Sequence, residues 1–538
     1  MKNIYSPADI KRITEATIGR LEDIETLDPA HRDAMMERRA AFIGEVGAAV
    51  ADEVLDFKGQ ARGDILVFAG DGLCGAYALE CAAALAAEGA RPKVILFNIG
   101  GNLLSADAEA ARDRFVASAG RDALNEVINP GQDFQMPNIT RRTIVVDGIF
   151  GSDYGKPLKG GYQAVARYIN EHNAHVIAID VPSGMTTDLA VGMINRNIVH
   201  AELTLALVGP TLAFFMPENY ELTGRWKVLP VAFDERAMSE TQCSAHLVDS
   251  GAINTVLPKR SRAASKNDLG HTLIFAGSYG MLGAAVLATR AAARSGCGKV
   301  TCHGPRCAFF VLQTSVPSAM FTTAGSDIDI RHFDDPFDAD GVAVGPGIGR
   351  SEATAAGLEN FLKSCCASRK PLVLDADALN IIAEHPSLLD FIPPRSIITP
   401  HAGEFDRLFG VQNSQGTRLL LALEMAERLK ITIVLKGPWT ATVWADGSVL
   451  VNTSGTEALA TAGSGDVLTG LMAGLVAQKM APEVAAVAAV YVHGVAGRLA
   501  ADRCGIAGTT AEDIAAAIGP AIDTILNRRS DASKTTGK

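Results

Sequence analysis

Short, largely apolar runs of three to six residues, most of them followed by a longer helical stretch, recur along almost the whole chain. Residues 65–68, 94–97, 143–146, 175–179 and 203–208 form a first series, and residues 272–275, 342–344, 372–374, 397–399 and 433–435 a second. Runs that are apolar at every position, rather than at alternate ones, predict strands buried on both faces, as in a parallel sheet covered by helices. Residues 76–87, 161–170, 283–295, 466–478, 482–503 and 511–526 predict the covering helices, and residues 6–54 predict two more, with Met36, Glu37 and Arg38 on the second. Residues 441–444 and 449–452 flank Asp446-Gly447 and predict a hairpin. The pattern fades between Asp234 and about Ser265, where SETQCS and KRSRAASKND show no clear strand. A length of 538 residues exceeds what one hydrophobic core serves. The expectation is an α/β chain of two domains, 1–236 and 237–528, with a polar tail at 529–538 that frays.

Composition narrows the class. The chain is 48% hydrophobic and 20% charged, with a net charge of −11, so broad nucleic-acid binding is not expected. Nine cysteines include no CxxC pair, and Cys365-Cys366 lacks a second pair to complete a zinc site. Reduced, buried thiols and a cytoplasmic location are expected. The N-terminus MKNIYSPADIKR has no signal-peptide core, and no run reads as an apolar stretch of about 20 residues spanning a membrane.

The strongest chemical signal is NTSGTEALATAGSGDVLTGLMAGL, residues 452–475. Its core, Gly463-Ser464-Gly465-Asp466, runs directly into an apolar helix. Glycines let backbone N–H groups approach a ligand, and a helix N-terminus adds unpaired donors and partial positive charge. Together they make an anion hole suited to a transferring phosphoryl group, with Asp466 in reach to take a hydroxyl proton. A plain turn with Asp466 as helix N-cap is the competing reading. Further polar clusters end successive strands: Gly345-Pro346-Gly347-Ile348-Gly349, LDADALN with Asp375, Asp377 and Asn380, TPHAGE with His401 and Glu404, and Lys436-Gly437. Strand C-termini face the ligand crevice of an open α/β sheet, where carboxylates can hold Mg²⁺ through water and an ammonium can meet phosphate. In the first half, Asp147-Gly148-Ile149-Phe150-Gly151 and Asp180-Val181-Pro182-Ser183-Gly184 end strands in the same way. Their carboxylates and hydroxyl suit a cation or acid–base chemistry, or capping and turn formation.

The ordered set GHTLIFAGSYGMLGAAVLATRAAARSGCG, GPGIG, LDADALN, TPHAGE, VLKG and NTSGTEALATAGSGDVLTG, over about residues 266–513, resembles the ADP-dependent NAD(P)H-hydrate dehydratases of the ribokinase-like superfamily. The resemblance implies a ribokinase-like α/β/α fold and nucleotide-dependent dehydration of the S form of hydrated NADH or NADPH. It places Ala284, Gly347, His401 and Asp466 at the substrate, with Asp466 as base. It places Lys436, Gly437, Pro438, Trp439, Thr440, Gly463 and Gly465 at the nucleotide, ADP or ATP, accompanied by Mg²⁺, with Glu404 and Asn380 shaping the phosphate and metal region. Residues 5–233, through MMERRA, AGDGLCGAYALECAAALAAEGARPKVILF, VVDGIFG and AIDVPSGM, resemble the NAD(P)H-hydrate epimerase domain, a Rossmann-like three-layer α/β/α unit. That resemblance implies Asp147 and Ser183 at a potassium ion, Asp180 as catalytic and substrate residue, Gly70 and Asp71 at the substrate, and residues 151–157 as a substrate loop. The family's GNNGGDG loop is shortened here: Phe68-Ala69 runs straight into Gly70-Asp71-Gly72, without the two asparagines, and no lysine follows Pro210. An N-terminal half kept for folding, binding or assembly is therefore the alternative to an epimerase. A kinase of a small alcohol or vitamin precursor, and a non-catalytic nucleotide binder, are the alternatives for the C-terminal half. Assembly into a homo-oligomer is expected.

Overall fold

The computed structural model describes all residues except 60–62, 100–103, 129–134, 187–188, 190–196 and 533–538. The chain divides into two compact units, Asn3–Cys243 and Ser244–Lys538, the latter including Met1–Lys2.

The N-terminal unit holds a seven-stranded sheet in the order Leu124–Val127, Lys93–Phe97, Ile65–Ala69, Ile144–Gly148, His175–Ile179, Leu203–Ala206, Arg225–Val228. Every pairing is parallel. The all-apolar strands serve two cores. Ile65, Val67 and Ala69 enter one cluster with Val94, Leu96, Ile144 and Val146, while Leu66 and Phe68 enter another with Ile95, Phe97 and Val145. A sheet covered on both faces follows from that alternation. Strand order reverses between Ile65–Ala69 and Ile144–Gly148, and at such a switch point the strand C-termini open a crevice. Gly70 lies there so close to the chain that a Cβ on it would stand 1.9 Å from the Ile149 carbonyl oxygen.

Ten strands of the C-terminal unit run in the order Ala245–Val248, Val449–Asn452, Ala441–Val443, Thr432–Leu435, Ile397–Ile398, Val373–Leu374, Gly341–Val344, His271–Phe275, Lys299–Gly304, Met320–Thr323. Ala441–Val443 alone among them is antiparallel to its neighbours, forming the expected hairpin with Val449–Asn452. Here the switch point lies between His271–Phe275 and Gly341–Val344. Helix Ser464–Ala477 packs on helix Leu282–Arg294 so tightly that a Cβ on Gly470 would meet the Ala288 carbonyl oxygen at 1.9 Å, and one on Gly474 the Ser295 hydroxyl at 2.1 Å.

Three expectations are corrected. The stretch 234–265 is not structureless: helix Glu235–Glu240, strand Ala245–Val248 and helix Ser250–Val256 occupy it. Partners distant in sequence fix that four-residue strand, which pairs with Val449–Asn452. The last helix continues to Ala532, into the expected polar tail, whose residues 533–538 lie outside the described residues. Helix Pro482–Cys504 is long and apolar enough to cross a membrane by length and composition, but 78% of its apolar window is buried inside the protein, as in an alanine-rich core helix. No disulfide joins the nine cysteines; Cys74, Cys81, Cys302 and Cys365 are buried, and Cys504 is exposed.

Candidate functional site

The C-terminal strand ends bring four polar clusters into one network. Strand Val373–Leu374 delivers Asp375, 1% exposed, whose Oδ1 accepts from Lys436 Nζ at 2.9 Å and whose Oδ2 accepts from Thr469 Oγ1 at 2.6 Å. Lys436, at the end of Thr432–Leu435, also stands 3.7 Å from Glu404 Oε2. Burial works against its charge, but Asp375 and Glu404 outweigh burial and hold its pKa above the ordinary lysine value. Ala376, between the two aspartates, adopts φ 49°, a strained conformation for a residue with a Cβ. It turns the chain into helix Asp377–Glu384, and Asp377 Oδ2 then accepts from Gly349 N at 2.9 Å.

His401 caps helix Ala402–Phe409. Its Nδ1 accepts from Gly403 N at 3.0 Å and Glu404 N at 3.3 Å, while Glu404 Oε2 accepts from His401 N at 2.8 Å. The imidazole, 54% exposed, thus has its Nδ1 occupied by the backbone and its Nε2 3.5 Å from Glu404 Oε1. The N-cap of helix Ser464–Ala477 is Gly463 at φ 85°, a left-handed conformation that glycine adopts without strain. Asp466 is therefore not the cap but sits in the first turn, among the unpaired N–H groups. Burial, then the charge of Asp375, push its pKa up to about 7 against the pull of Lys436, with Asp377 and Glu404 adding to the rise. A Cβ on Gly465 would lie 3.6 Å from Lys436 Nζ and 3.8 Å from Asp375 Oδ2. The turn and the ammonium therefore share one small space.

Gly347, at φ 62°, abuts the start of helix Leu282–Arg294: a Cβ there would meet the Met281 carbonyl oxygen at 2.9 Å and Ala284 Cβ at 3.2 Å. Ala284 and Gly347 thus form one wall at the switch point. In the loop after Lys436, Thr440 Oγ1 donates to the Gly437 carbonyl at 3.0 Å, and the Pro438 carbonyl lies 3.8 Å from where a Cβ on Gly455 would start. Trp439 is half-buried. Two contributors escaped the sequence reading. Thr469, fully buried, follows Asp466 at i+3 on the same helix face, and that spacing was the available signal. His493, whose Nε2 is 3.3 Å from Ser464 Oγ, is held neutral by burial, with its pKa lowered to about 4. Nothing local to its alanine-rich helix marks it.

In the N-terminal unit, Asp147 is fully buried. Its Oδ1 accepts from Ser183 Oγ at 2.6 Å and its Oδ2 from Ser183 N at 2.8 Å. Burial raises its pKa to about 6 in spite of those bonds. Asp180, at φ 68°, accepts from Ser152 N at 2.7 Å and is likewise raised by burial. Asp71, half-buried after Gly70, is raised by burial with a contribution from Asp153. Phe150 stacks on Tyr154 at 3.9 Å and meets Tyr162 edge-on at 5.0 Å. Phe150 and Tyr162 thus flank the 151–157 loop and gather with its Tyr154 into one aromatic cluster. Among the described residues no group of three or more His, Cys, Asp or Glu side chains is arranged to hold a metal ion by itself.

Residues 272–520 match the family model described as NAD(P)H-hydrate dehydratase, and residues 33–213 match that of the YjeF-related protein N-terminus. A bifunctional NAD(P)H-hydrate repair enzyme of Moorella thermoacetica is 31% identical over 518 residues, covering 93% of this chain and 94% of the relative. One from Coxiella burnetii is 31% identical, covering 71% and 76%. Among solved structures, an ADP/ATP-dependent NAD(P)H-hydrate dehydratase from Bacillus subtilis, co-crystallised with ATP/Mg²⁺, is 29% identical over 52% of this chain and 97% of its own, with a TM-score of 0.45. The full-length relatives carry both domains under one name, which disfavours a stand-alone small-alcohol kinase. With both of its halves matched in order, this chain belongs to the family of bifunctional NAD(P)H-hydrate repair enzymes.

Proposed function

We propose that the C-terminal unit dehydrates the S form of hydrated NADH or NADPH at the expense of ADP or ATP. The observation that carries this reading is Asp466: a carboxylate raised to about 7, in the first turn of a glycine-capped helix, beside the half-buried ammonium of Lys436. Asp466 accepts the proton of the ring hydroxyl as the hydroxyl oxygen attacks the terminal phosphoryl group. The unpaired N–H groups at Gly463–Gly465 receive the phosphoryl charge, and Lys436 adds its ammonium. The ring C–O bond then breaks with phosphate as the leaving group, the neighbouring ring carbon loses a proton, and the dihydropyridine is restored. Ala284 and Gly347 form a wall without bulk against which the ring lies, and His401 offers its exposed edge. The nucleotide contacts are assigned to Lys436, Gly437, Pro438, Trp439, Thr440, Gly463 and Gly465.

The electrostatics fit an accompanying Mg²⁺. Asp375, Asp377 and Glu404 surround Asp466, with Lys436 as the cation among them, and a polyphosphate adds further negative charge. Asp375 is committed to the ammonium of Lys436 and the hydroxyl of Thr469, so Asp377 and Glu404, whose closest donors are backbone N–H groups, are the carboxylates to hold the ion, through water. When bound, it neutralises phosphate charge.

For the N-terminal unit we propose epimerisation of the R form, with Asp180 as the acid–base group and Asp71 and Gly70 lining the substrate. Asp147 and Ser183 fit a potassium ion, since the carboxylate is fully buried and its hydrogen-bond donors, the Ser183 and Ile149 N–H groups and the Ser183 hydroxyl, are all neutral. The test is the near-UV absorbance of the reduced nicotinamide ring with purified protein, Mg²⁺ and ADP. Recovery from the S form that needs nucleotide supports the dehydratase; a phosphorylated product without recovery refutes it. Recovery from the R form separately supports the epimerase.

A further inference from the structure

Asp375 is buried, and each of its two oxygens has one close donor: Lys436 Nζ at 2.9 Å on Oδ1 and Thr469 Oγ1 at 2.6 Å on Oδ2. A helical threonine commonly turns its hydroxyl back to the carbonyl one turn earlier; Thr469, wholly buried, sends it across to a strand end 94 residues away. Lys436 meanwhile stands beside the phosphate turn, 3.6 Å from where a Cβ on Gly465 would begin, and within 3.7 Å of Glu404 Oε2. An ammonium has three donors and moves on a flexible stem. Among the described residues the Thr469 hydroxyl is the hydrogen-bond donor to Oδ2, and a buried carboxylate oxygen without a donor is costly. Without that hydroxyl, the nearest group able to relieve Oδ2 is Lys436, which would be drawn over both oxygens and away from Gly465.

We propose that Thr469 is a positioning residue for the nucleotide: its hydroxyl holds the second oxygen of Asp375, so that Lys436 spends one donor there and keeps the others turned to the phosphate turn. This rests on reading that turn as the nucleotide site. Thr469 touches no reacting atom; it acts through Asp375 on Lys436. The groups facing Lys436 are Asp375, Glu404 and Asp466, with His493 nearby and uncharged, so no other described carboxylate offers the ammonium a competing pull.

The experiment uses the full chain, with ADP and Mg²⁺, and measures nucleotide affinity by calorimetry alongside the KM for each substrate. If the wild type binds no adenine nucleotide, the reading of the turn fails, whatever Thr469 does. Given binding, Thr469→Val is expected to weaken ADP affinity and raise its KM about tenfold, while the KM for the S hydrate stays within about twofold. Thr469→Ser, which keeps the hydroxyl, should restore ADP affinity to near wild type. Thr469→Ala removes the hydroxyl without a β-branch and repeats the measurement should the valine variant not fold. Wild-type ADP affinity in the valine or alanine variant overturns the proposal. So does an equal loss for both substrates, or a serine variant as weak as valine, since each marks a packing role only.

Discussion

The two strand-end sites solve the problem of a buried carboxylate in opposite ways. In the C-terminal unit, Asp375 is matched to Lys436 and Thr469, and the charge that remains is concentrated on Asp466, which is pushed up to about 7. In the N-terminal unit, Asp147 accepts from the neutral donors of Ser183 and Ile149, and burial lifts it to about 6 with no side-chain cation bonded to it among the described residues. The first arrangement sets one ammonium amid several carboxylates, and we propose that it takes an anion together with Mg²⁺. The second leaves a negative charge open to a cation. Burial alone thus does not define a site; what decides the ligand is which sign of charge the fold leaves unmatched.

The comparison breaks most visibly at Asp466. Asp466→Asn should lower turnover of the S hydrate by about 10²–10⁴-fold, with ADP binding within a few fold of wild type, read by absorbance recovery and calorimetry. Because the base must be ionised, wild-type turnover should fall as pH drops through about 7, and nucleotide affinity should not follow the same curve. Next in size, Asp180→Asn should abolish conversion of the R form by about 10²-fold or more while S-form dehydration continues; loss of both would show that Asp180 serves the fold alone.

Asp147 sharpens the contrast through stability. Its folded-state pKa lies above the ordinary carboxylate value, so the fold binds that proton more tightly than the unfolded chain does. The N-terminal unit should therefore lose stability as pH rises from about 4 to about 6, by about 3 kcal/mol, and level off above. Potassium chloride in place of sodium chloride should shrink that loss, and Asp147→Asn should flatten the slope in both salts, measured by thermal melts. The smallest effect is expected at His401. His401→Ala loses the cap of helix Ala402–Phe409, at about 1 kcal/mol, whereas His401→Asn keeps a capping acceptor, so any rise in the S-hydrate KM it shows belongs to the exposed edge of the ring.

Strands such as Ile65–Ala69, and residues 433–435 of Thr432–Leu435, were legible because every residue in those runs is apolar and buried. Lys299–Gly304 was not, since its polar residues are satisfied only across the fold: His303 bonds Thr322 and the His332 carbonyl. Helix Ala106–Ala119 hid for a related reason, having one large buried side chain, Phe115, among charges. In the site, Lys436, Asp375, Glu404 and Asp466 stand at strand or helix ends, where side-chain type reveals use. Thr469 and His493 sit inside helices, where a hydroxyl or an imidazole among alanines and leucines looks like filling until its distant partner is known.

The glycines of helix Ser464–Ala477 carry a mechanical consequence. Gly470 and Gly474 let that helix lie backbone to backbone on Leu282–Arg294, whose first residues include Ala284. The turn proposed for phosphate begins one helix and the wall proposed for the substrate begins the other, so this close backbone contact ties the two proposed sites together. A methyl group added at Gly470 would wedge the two helices apart without touching a single proposed reacting residue.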